Sequence, residues 1–366
     1  MDVVRNFQSM SAKQFMGVQL FELVYLLTLA FLPFVLAIPV VTYVVLTLAS
    51  TVLFIAFLRK CLYRRVRAEG KVVFITGCDS GLGNACAHRL DSLGFTVVAA
   101  CYDEKSDGAR RLREDCSSRL YVETLDIANE NSVMKCVSKV KSLCGSKGLW
   151  ALINNAGTVK FGDVELTPLE SYREVMDVNI LGTIQVTQAC LPLIRTSKGR
   201  IITLTGIQGL MATPGFSAFS ISKFGLEAFN ESLRFEMKQF KVKVITVRPG
   251  NFSGATAMLN KAGLEKIKKS LDEVKTKASL EVRTAYGDSY TDQQYTQLTH
   301  LSKSSANNCS NVIDTLESAV SSTNPSPSYL VDGGNQLLDL GNVLIRLRPY
   351  LPTNLYEGLI QKYFGC

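Results

Sequence analysis

The sequence has few of the residues from which metal sites and disulfide frameworks are built. Histidine occurs only at His88 and His300, which lie far apart along the chain. The ten cysteines are scattered and form no C-x-x-C pair and no zinc-type spacing with histidine. We therefore expect no metal site, and we interpret the cysteines as mostly buried, reduced thiols in a reducing compartment.

Charge is missing from one long stretch near the N-terminus. Residues 18–58 are nearly all apolar, and Glu22 is the only charged residue among them. This length is about twice the ~20 residues that one bilayer crossing needs. The pattern predicts a membrane anchor over 18–58 after an N-terminal segment over 1–17. The anchor contains either one spanning helix with the remainder at the interface or a hairpin of two helices that turns near Pro33 and Pro39.

Basic residues follow the apolar stretch directly, in a linker over 59–70. They are Arg59, Lys60, Arg64, Arg65 and Arg67. Positively charged residues stay on the cytoplasmic side, so the chain after the linker is predicted to face the cytosol. A hairpin would return Arg5 and Lys13 to that side, which favours it slightly. The net charge of +8 could suit either nucleic acid or an anionic membrane surface, and this placement of the basic residues favours the membrane. We therefore expect a lipid bilayer as a partner and no nucleic-acid partner.

The pattern of a nucleotide-binding domain begins at Lys71. A short apolar run over 72–75 leads into T-G-C-D-S-G-L-G over 76–83, and a helical pattern follows over 85–93. A strand, a glycine turn and a helix in this order are the context of a dinucleotide fingerprint, because the glycines admit a diphosphate to the helix N-terminus. Further strands are predicted over 96–101, 120–125, 149–153, 200–205 and 242–247.

Acidic residues lie where the adenosine ribose is normally bound. Asp79 is in the glycine turn, and Asp103 and Glu104 follow the second strand. Negative charge there repels a 2′-phosphate, which favours NAD(H) over NADP(H). Basic residues nearby leave NADP(H) open; they are Lys105, Arg110 and Arg111.

Three motifs in this order resemble those of the short-chain dehydrogenase/reductase family: the T-G-x-x-x-G-x-G turn, the N-N-A-G run over 154–157 and the segment 206–223. In that family a Ser lies thirteen residues before a Tyr, and the Tyr lies four residues before a Lys. This sequence has the Lys as Lys223, but Gly206 stands at the Ser position and Phe219 at the Tyr position.

The resemblance implies an α/β fold, a Rossmann-type doubly wound parallel sheet over 71–335 that the transmembrane helical anchor precedes. It also implies a substrate lid over about 255–300 and an amphipathic C-terminal tail over 336–366. The catalytic positions that it assigns are Asn179, Gly206, Phe219 and Lys223. The cofactor positions that it assigns are Gly77, Asp79, Ser80, Gly81, Leu82, Gly83, Asp126, Asn154, Ala156, Gly157, Lys223, Pro249 and Gly250.

In the family the Tyr exchanges a proton with the substrate oxygen, the Ser polarises that oxygen, and the Lys lowers the Tyr pKa and binds the nicotinamide ribose. Phe219 cannot transfer a proton, and Gly206 offers no side-chain donor. Other hydroxyls lie nearby, but their positions on the strand and the helix predict that they face elsewhere; they are Thr205, Ser217, Ser220 and Ser222. We expect an intact cofactor site with severely weakened chemistry.

Finer details, including S-K-F-G-L-E-A-F and T-A-Y-G-D-S-Y, resemble the branch that contains retinol, 17β-hydroxysteroid and 3-hydroxybutyrate dehydrogenases. That resemblance implies an endoplasmic reticulum membrane protein that acts on a hydrophobic alcohol or ketone, such as a retinoid or a steroid, sterol or ecdysteroid precursor. The alternative is a catalytically silent protein that binds NAD(H) or a sterol and regulates a membrane partner. A homodimer or a membrane enzyme partner is the expected protein assembly.

The C-terminal third has a weaker pattern. Residues 258–284 are amphipathic and lysine-rich at the place of the family's lid, and 302–328 is interpreted as surface loop around a helix over 312–321. The tail over 337–364 is predicted to close the pocket or to dock on the membrane, with pocket closure favoured. The sequons at Asn230, Asn251 and Asn308 should be unused if the domain is cytosolic.

Overall fold

A computed structural model describes residues 12–62, 64–256, 258–277, 279–287, 289–335 and 339–364. Arg5 and the start of the predicted tail at 336–338 lie outside the described residues. The chain divides into two units, Met1–Arg64 and Arg65–Cys366. Each unit is described by itself below.

The first unit contains one long helix, α1 (Ala12–Leu62), with Pro33 and Pro39 inside it. Its stretch Leu20–Ile55 has a mean hydropathy of 2.5 and none of it is buried, so it is long and apolar enough to cross a membrane and fits the predicted anchor. The hairpin favoured above is wrong for this structure. A continuous helix keeps its backbone groups bonded internally, and each proline removes only one N–H group, whereas a turn would leave several groups unpaired in an apolar setting.

The second unit is built on a seven-stranded sheet in the order β3-β2-β1-β4-β5-β6-β7, and all of its strand pairs are parallel. The strands are β1 (Val72–Thr76), β2 (Thr96–Cys101), β3 (Leu120–Thr124), β4 (Leu149–Asn154), β5 (Arg200–Leu204), β6 (Lys243–Pro249) and β7 (Ser328–Val331). The structure confirms the predicted doubly wound parallel sheet, and six of its strands are the six that the apolar runs predicted.

Helices cover both faces of the sheet. The helices of this unit are α2 (Gly81–Ser92), α3 (Asp107–Asp115), α4 (Glu130–Cys144), α5 (Leu169–Met176), α6 (Thr183–Ser197), α7 (Ser217–Met237), α8 (Lys261–Lys277), α9 (Leu280–Tyr286), α10 (Tyr290–Lys303), α11 (Ser310–Ser321), α12 (Leu340–Leu347) and α13 (Thr353–Phe364). Helices α2, α3 and α11 pack on one face, and α4, α6 and α7 pack on the other. Every residue of β1 is buried, because successive side chains enter the cores on opposite faces of the sheet. This explains why the strands read as continuous apolar runs rather than as alternating ones.

The strand order reverses next to β1. From β1 the chain moves outward through β2 and β3, and it then returns to the other side of β1 as β4. The loops that follow β1 and β4 therefore leave in opposite directions and open a crevice at the carboxyl ends of the strands. In open parallel sheets this switch point is where ligands bind.

The interpretation of 302–328 as surface loop around a helix is wrong in one respect. The helix is present as α11, but its face bearing Val312, Leu316 and Val320 lies in the core. Two side chains from the sheet bind its carboxyl end: Trp150 Nε1 donates to Val320 O at 3.1 Å, and Arg200 Nη1 donates to Ala319 O at 2.8 Å. The polar residues around α11 hide this burial from a reading of composition.

The C-terminal tail packs against the turn that follows β5. Leu344 of α12 and Ile360 of α13 form a buried cluster with Ile207 and Met211 of that turn. Arg348 also donates to the carbonyl oxygen of Leu210. The tail therefore supports the loop that contains Gly206, and its predicted role in closing the pocket stays a prediction.

Candidate functional site

A cavity of about 560 Å³ opens at the carboxyl ends of β1, β4, β5 and β6. Twelve of the sixteen residues assigned to the site from the sequence line it: Gly77, Asp79, Ser80, Gly81, Leu82, Ala156, Gly157, Gly206, Phe219, Lys223, Pro249 and Gly250. The other four, which are Gly83, Asp126, Asn154 and Asn179, lie outside its described lining. The fold thus brings most of the predicted site together across four loops and α7.

Two glycines of the turn after β1 have no room for a side chain. Gly77 has a φ of +71°, and a Cβ there would lie 2.7 Å from Ala156 Cα. A Cβ on Gly83 would lie 2.3 Å from the carbonyl oxygen of Gly77. Gly83 therefore holds α2 close to the turn without touching the cavity itself.

The N-terminus of α2 faces the same cavity. Its N-cap residue Ser80 makes no side-chain capping bond, so the first backbone N–H groups of α2 remain available to a ligand. Free N–H groups, the positive end of the helix dipole and a glycine-rich turn together suit a diphosphate. This part of the site fits a dinucleotide cofactor.

Two loops are locked together across the switch point. Asn155 Nδ2 donates to the carbonyl oxygens of Thr76 and Gly77 at 2.9 and 2.8 Å. Thr76 Oγ1 accepts from the backbone N–H groups of Asn155 and Ala156 at 3.1 Å each. Asn155 was not assigned a role from the sequence, although it lies within the N-N-A-G run. Asn154 faces away from the cavity, toward Thr187 of α6, with its Nδ2 at 3.0 Å from Thr187 Oγ1.

The acidic residues predicted to lie at the adenosine end are held by hydrogen bonds within the protein. The Asp79 carboxylate accepts from the N–H groups of Tyr102 and Asp103 at 2.9 and 2.8 Å, which fixes the loop after β2. The Glu104 carboxylate accepts from Thr124 Oγ1 at 2.9 Å. Asp126 Oδ1 accepts from the N–H group of Ala128 at 3.0 Å and so shapes the loop after β3.

Asn179 is fully buried in a π-helical turn over Asp177–Gly182 between α5 and α6. Its side chain pairs with the backbone of Thr158, accepting from N–H at 2.7 Å and donating to C=O at 2.9 Å. Asn179 Nδ2 also donates to Ser222 Oγ at 2.9 Å, and Ser222 in turn donates to the carbonyl oxygen of Phe219. Asn179 thus joins the loop after β4 to α7 below the cavity floor.

Lys223 is buried on α7 beside Phe219. Its Nζ donates to the carbonyl oxygen of Leu204 at 3.0 Å and lies 5.3 Å from the centroid of the Phe219 ring. Burial lowers the pKa of Lys223 from 10.5 to about 8, and the charge of Glu227 one helical turn away opposes this only in part. Lys223 is therefore a titrating cation on the cavity wall next to a ring that has no hydroxyl.

Gly206 adopts a conformation that few other residues can hold. Its φ of +89° and ψ of +173° fall in a backbone region that is essentially restricted to glycine. A Cβ there would lie 3.3 Å from Gln208 Oε1 and 3.8 Å from the carbonyl oxygen of Pro249, so the restriction comes mainly from the backbone. The missing Ser is thus accompanied by a loop conformation that does not suit Ser.

A charged network behind the cavity was missed by the sequence analysis. The Glu227 carboxylate receives two hydrogen bonds from Arg248, at 2.8 and 2.7 Å, and one from Thr205 Oγ1 at 2.7 Å. Glu227 follows Lys223 at helical spacing on one face of α7, and Arg248 directly precedes Pro249, so these spacings could have signalled the pair. The network joins β5, β6 and α7 around the catalytic positions.

The remaining hydroxyls near the catalytic segment are committed elsewhere or point away from the cavity. Thr205 binds Glu227, Ser222 binds Asn179, and Ser217 Oγ lies 2.5 Å from Tyr172 Oη. Ser220 is buried outside the described cavity lining. The geometry therefore agrees with the expectation that none of them replaces the missing Ser or Tyr.

The other end of the cavity is apolar. Phe216 and Phe219 of the α7 region pack with Leu259 and Ile267 of the predicted lid segment and with Leu301 of α10. These five residues also line the cavity. The volume continuous with the cofactor half thus offers apolar walls to a second ligand.

Comparisons with known proteins agree with this geometry. The family model described as short chain dehydrogenase matches residues 71–267. The chain is 40% identical over 267 residues to D-beta-hydroxybutyrate dehydrogenase, mitochondrial, of Rattus norvegicus, an alignment that covers 72% of this chain and 77% of that protein. It is 37% identical to retinol dehydrogenase 7 of Rattus norvegicus (81% and 89% covered) and 35% identical to estradiol 17-beta-dehydrogenase 2 of Mus musculus (81% and 75% covered).

Proposed function

We propose, on the premise that this chain belongs to the short-chain dehydrogenase family, that it is a membrane-anchored oxidoreductase of a hydrophobic alcohol or ketone. The substrate class is a steroid or sterol, such as an ecdysteroid precursor, or a retinoid. The reaction proceeds with an altered catalytic pair, because Gly206 and Phe219 replace the Ser and the Tyr.

The observation that carries this proposal is the continuity of the two halves of the cavity. One half is lined by the glycine turn and the free N-terminus of α2, and the other by apolar side chains of α7 and the lid. A dinucleotide fits the first half and an apolar ligand fits the second, and they would meet beside Phe219 and Lys223. The similarity to retinol and estradiol dehydrogenases supports an apolar ligand.

The cofactor in this proposal is NAD(H). Members of the family bind NAD(H) or NADP(H), and the carboxylates of Asp79 and Glu104 support the first, because they belong to the loops where the adenosine ribose would bind. Two negative charges beside the ribose disfavour a 2′-phosphate there. When bound, the nicotinamide supplies or accepts the hydride.

In this proposal the protein's own residues bind and orient the cofactor and the substrate, and Phe219 supplies no proton. The backbone of the glycine turn and of α2 would hold the diphosphate, and the Lys223 ammonium group would hold the nicotinamide ribose. Phe219 fills the space of the Tyr ring but can neither donate nor accept a proton. A positioned acid or base contributes about 10²- to 10⁴-fold to such a reaction, so we expect slow turnover whose proton comes from water or from the substrate.

The proposed location is the endoplasmic reticulum membrane, with the domain facing the cytosol. The apolar helix α1 supports a membrane location, and the basic residues that follow it support the cytosolic orientation. The partners in this proposal are the bilayer and a hydrophobic small molecule, and a homodimer or a membrane enzyme is the candidate protein partner.

A second function is favoured by one specific feature, the loss of both proton-handling side chains at Gly206 and Phe219. In this alternative the protein is catalytically silent, binds NAD(H) or a sterol and regulates an enzyme in the same membrane. The retained Asn179 and Lys223, which are both held by hydrogen bonds to neighbouring elements, favour the first function.

The two functions are separated by a single substitution with a matched control. The full chain is reconstituted in phospholipid nanodiscs, NADH binding is measured by fluorescence, and turnover is measured with a panel of sterols, steroids and retinoids. Phe219→Tyr adds a phenol beside Lys223, whereas Phe235→Tyr adds one to an exposed position of the same helix, where Phe235 is 72% exposed.

For the oxidoreductase we expect NADH binding by the wild type, weak turnover, and a rise of about 10²- to 10⁴-fold in Phe219→Tyr but not in Phe235→Tyr. Wild-type turnover equal to that of Phe219→Tyr would contradict the weakened chemistry. Binding of NADH and a sterol without turnover in the wild type would support the silent alternative. A wild type that binds no NADH would overturn the oxidoreductase, and a wild type that binds neither NADH nor a sterol would overturn both functions.

A further inference from the structure

The side chain that approaches the vacant Ser position is Gln208. It lies in the short 3₁₀ turn Ile207–Gly209 that directly follows Gly206, and it lines the cavity together with Phe219 and Lys223. A Cβ built on Gly206 would lie only 3.3 Å from Gln208 Oε1. A Ser hydroxyl extends one bond beyond its Cβ, so the amide of Gln208 occupies the neighbourhood that the hydroxyl would use.

The turn that carries Gln208 is held on both sides. Ile207 is buried in the cluster with Met211, Leu344 and Ile360. On the other side Gly209 lies against α7, where a Cβ would come 3.1 Å from the carbonyl oxygen of Lys223. A side chain on so constrained a turn is presented to the cavity from a fixed backbone position, which is what binding of a small polar group requires.

The side-chain amide of Gln208 can form hydrogen bonds with a ligand. Within the described part of the chain it makes no hydrogen bond to protein, and it is only partly exposed. Its oxygen and nitrogen exchange places by a half-turn of the amide without any change of shape, so either can face the position beside Gly206. A side-chain amide N–H is also one of the donors that enzymes use to polarise a substrate oxygen.

We propose that Gln208 replaces the missing Ser as the hydrogen-bond donor to the substrate oxygen. In this proposal, which rests on the proposed function, Nε2 of Gln208 donates to the carbonyl oxygen of a bound ketone or to the hydroxyl oxygen of a bound alcohol. Gln208 thereby distinguishes an oxygenated ligand from its hydrocarbon skeleton. No bond is made or broken in this step.

The first test measures binding rather than turnover. The probes are androstanone and androstane, which have the same skeleton with a carbonyl group in one and a methylene group in the other. Both are titrated into NADH-loaded full chain in nanodiscs. The variants are Gln208→Met, which keeps the length of the side chain without the amide, and Gln239→Ala, a control at an exposed glutamine outside the cavity lining.

We expect the wild type and Gln239→Ala to bind androstanone more tightly than androstane. Gln208→Met should lose about 3- to 10-fold in affinity for androstanone, as the loss of one neutral hydrogen bond predicts, with no change for androstane or NADH. A Gln208→Met variant that still prefers the ketone by the wild-type margin would overturn the proposal. So would a wild type that binds NADH and both steroids equally, whereas a chain that binds neither NADH nor steroid would overturn the proposed function itself.

The second test uses the crowding between the two positions. A Ser at position 206 would displace the Gln208 amide, so the two donors exclude one another. In a Phe219→Tyr background, Gln208→Met should lower kcat/KM by about 10²- to 10³-fold, the usual effect of removing one such donor. In the Phe219→Tyr, Gly206→Ser background, Gln208→Met should lower kcat/KM by less than about threefold. Equal losses in the two backgrounds would show that Gln208 does not act at the substrate oxygen.

Discussion

The conformation of Gly206 makes a strong prediction about restoring the family's Ser. Gly206→Ser places a side chain on a residue whose φ is +89° and whose ψ is +173°. Residues held in such sparsely populated regions cost about 1–3 kcal/mol each. The nearest neighbour of the new Cβ is the end of the Gln208 side chain at 3.3 Å, which can move, so the cost is mainly that of the backbone.

A loss of this size is measurable by thermal unfolding of the ligand-free full chain in detergent. In a domain of this size a change of 1 kcal/mol shifts Tm by about 2 °C, so we expect Gly206→Ser to lower Tm by about 2–6 °C. Gly206→Ala tests the backbone cost without adding a hydroxyl, and its Tm should fall by as much as that of Gly206→Ser. Gly358→Ser is the matched control, because Gly358 has no heavy atom within 4 Å of a Cβ and no positive φ. We expect its Tm to stay at or slightly above that of the wild type.

The missing proton donor limits any gain in turnover from the Ser. Because Phe219 still cannot transfer a proton, Gly206→Ser alone should not raise turnover, whereas Phe219→Tyr should. If Gly206→Ser and Gly206→Ala both have the Tm of the wild type, the loop tolerates a side chain and our account of the lost Ser is wrong. If Gly206→Ser alone raises turnover, Phe219 is not the residue that limits the chemistry.

Three further predictions concern the cofactor turn, Lys223 and the membrane topology. Gly83→Ala places a Cβ 2.3 Å from the Gly77 carbonyl oxygen, so the turn must move. NADH affinity should then fall by more than about tenfold, which corresponds to a loss of about 1.4 kcal/mol in binding free energy. An unchanged affinity in a fluorescence titration would refute the close approach. The lowered pKa of Lys223, about 8 in place of 10.5, means that the unfolded chain binds this proton more tightly, so the free energy of unfolding should rise by about 3 kcal/mol between pH 8 and 10.5. Denaturant unfolding of Lys223→Met should show no such rise in the free energy of unfolding. If the variant shows the same rise as the wild type, the pH dependence comes from other groups. Among the three sequons only Asn308 is exposed, while Asn230 and Asn251 are buried. Expression in microsomes therefore tests Asn308, and we expect no increase in apparent mass from glycosylation of a cytosolic domain. An increase in mass that Asn308→Gln removes would place the domain in the lumen.

Much of the fold could be predicted because its signals are local. Six strands followed from runs of apolar residues, since strands of a parallel sheet are buried on both faces. The cofactor turn followed from glycines whose spacing matches a strand, turn and helix, and the structure shows that a side chain at Gly77 or Gly83 would collide with neighbouring backbone. For α11 the prediction of a helix was right and that of its surroundings was wrong, because Trp150 and Arg200, which bind its end, come from distant strands.

The absence of a proton donor was visible from the sequence alone, because Phe219 and Gly206 can be identified by their spacing from Lys223. What only the tertiary structure decided is how the loop accommodates that absence: the glycine-only backbone at Gly206, and the amide of Gln208 beside it. Backbone dihedrals in a loop depend on what packs against the loop, here a C-terminal tail more than a hundred residues away. Residue identity sets which chemistry is impossible at a position, while long-range packing sets which neighbouring group can reach it.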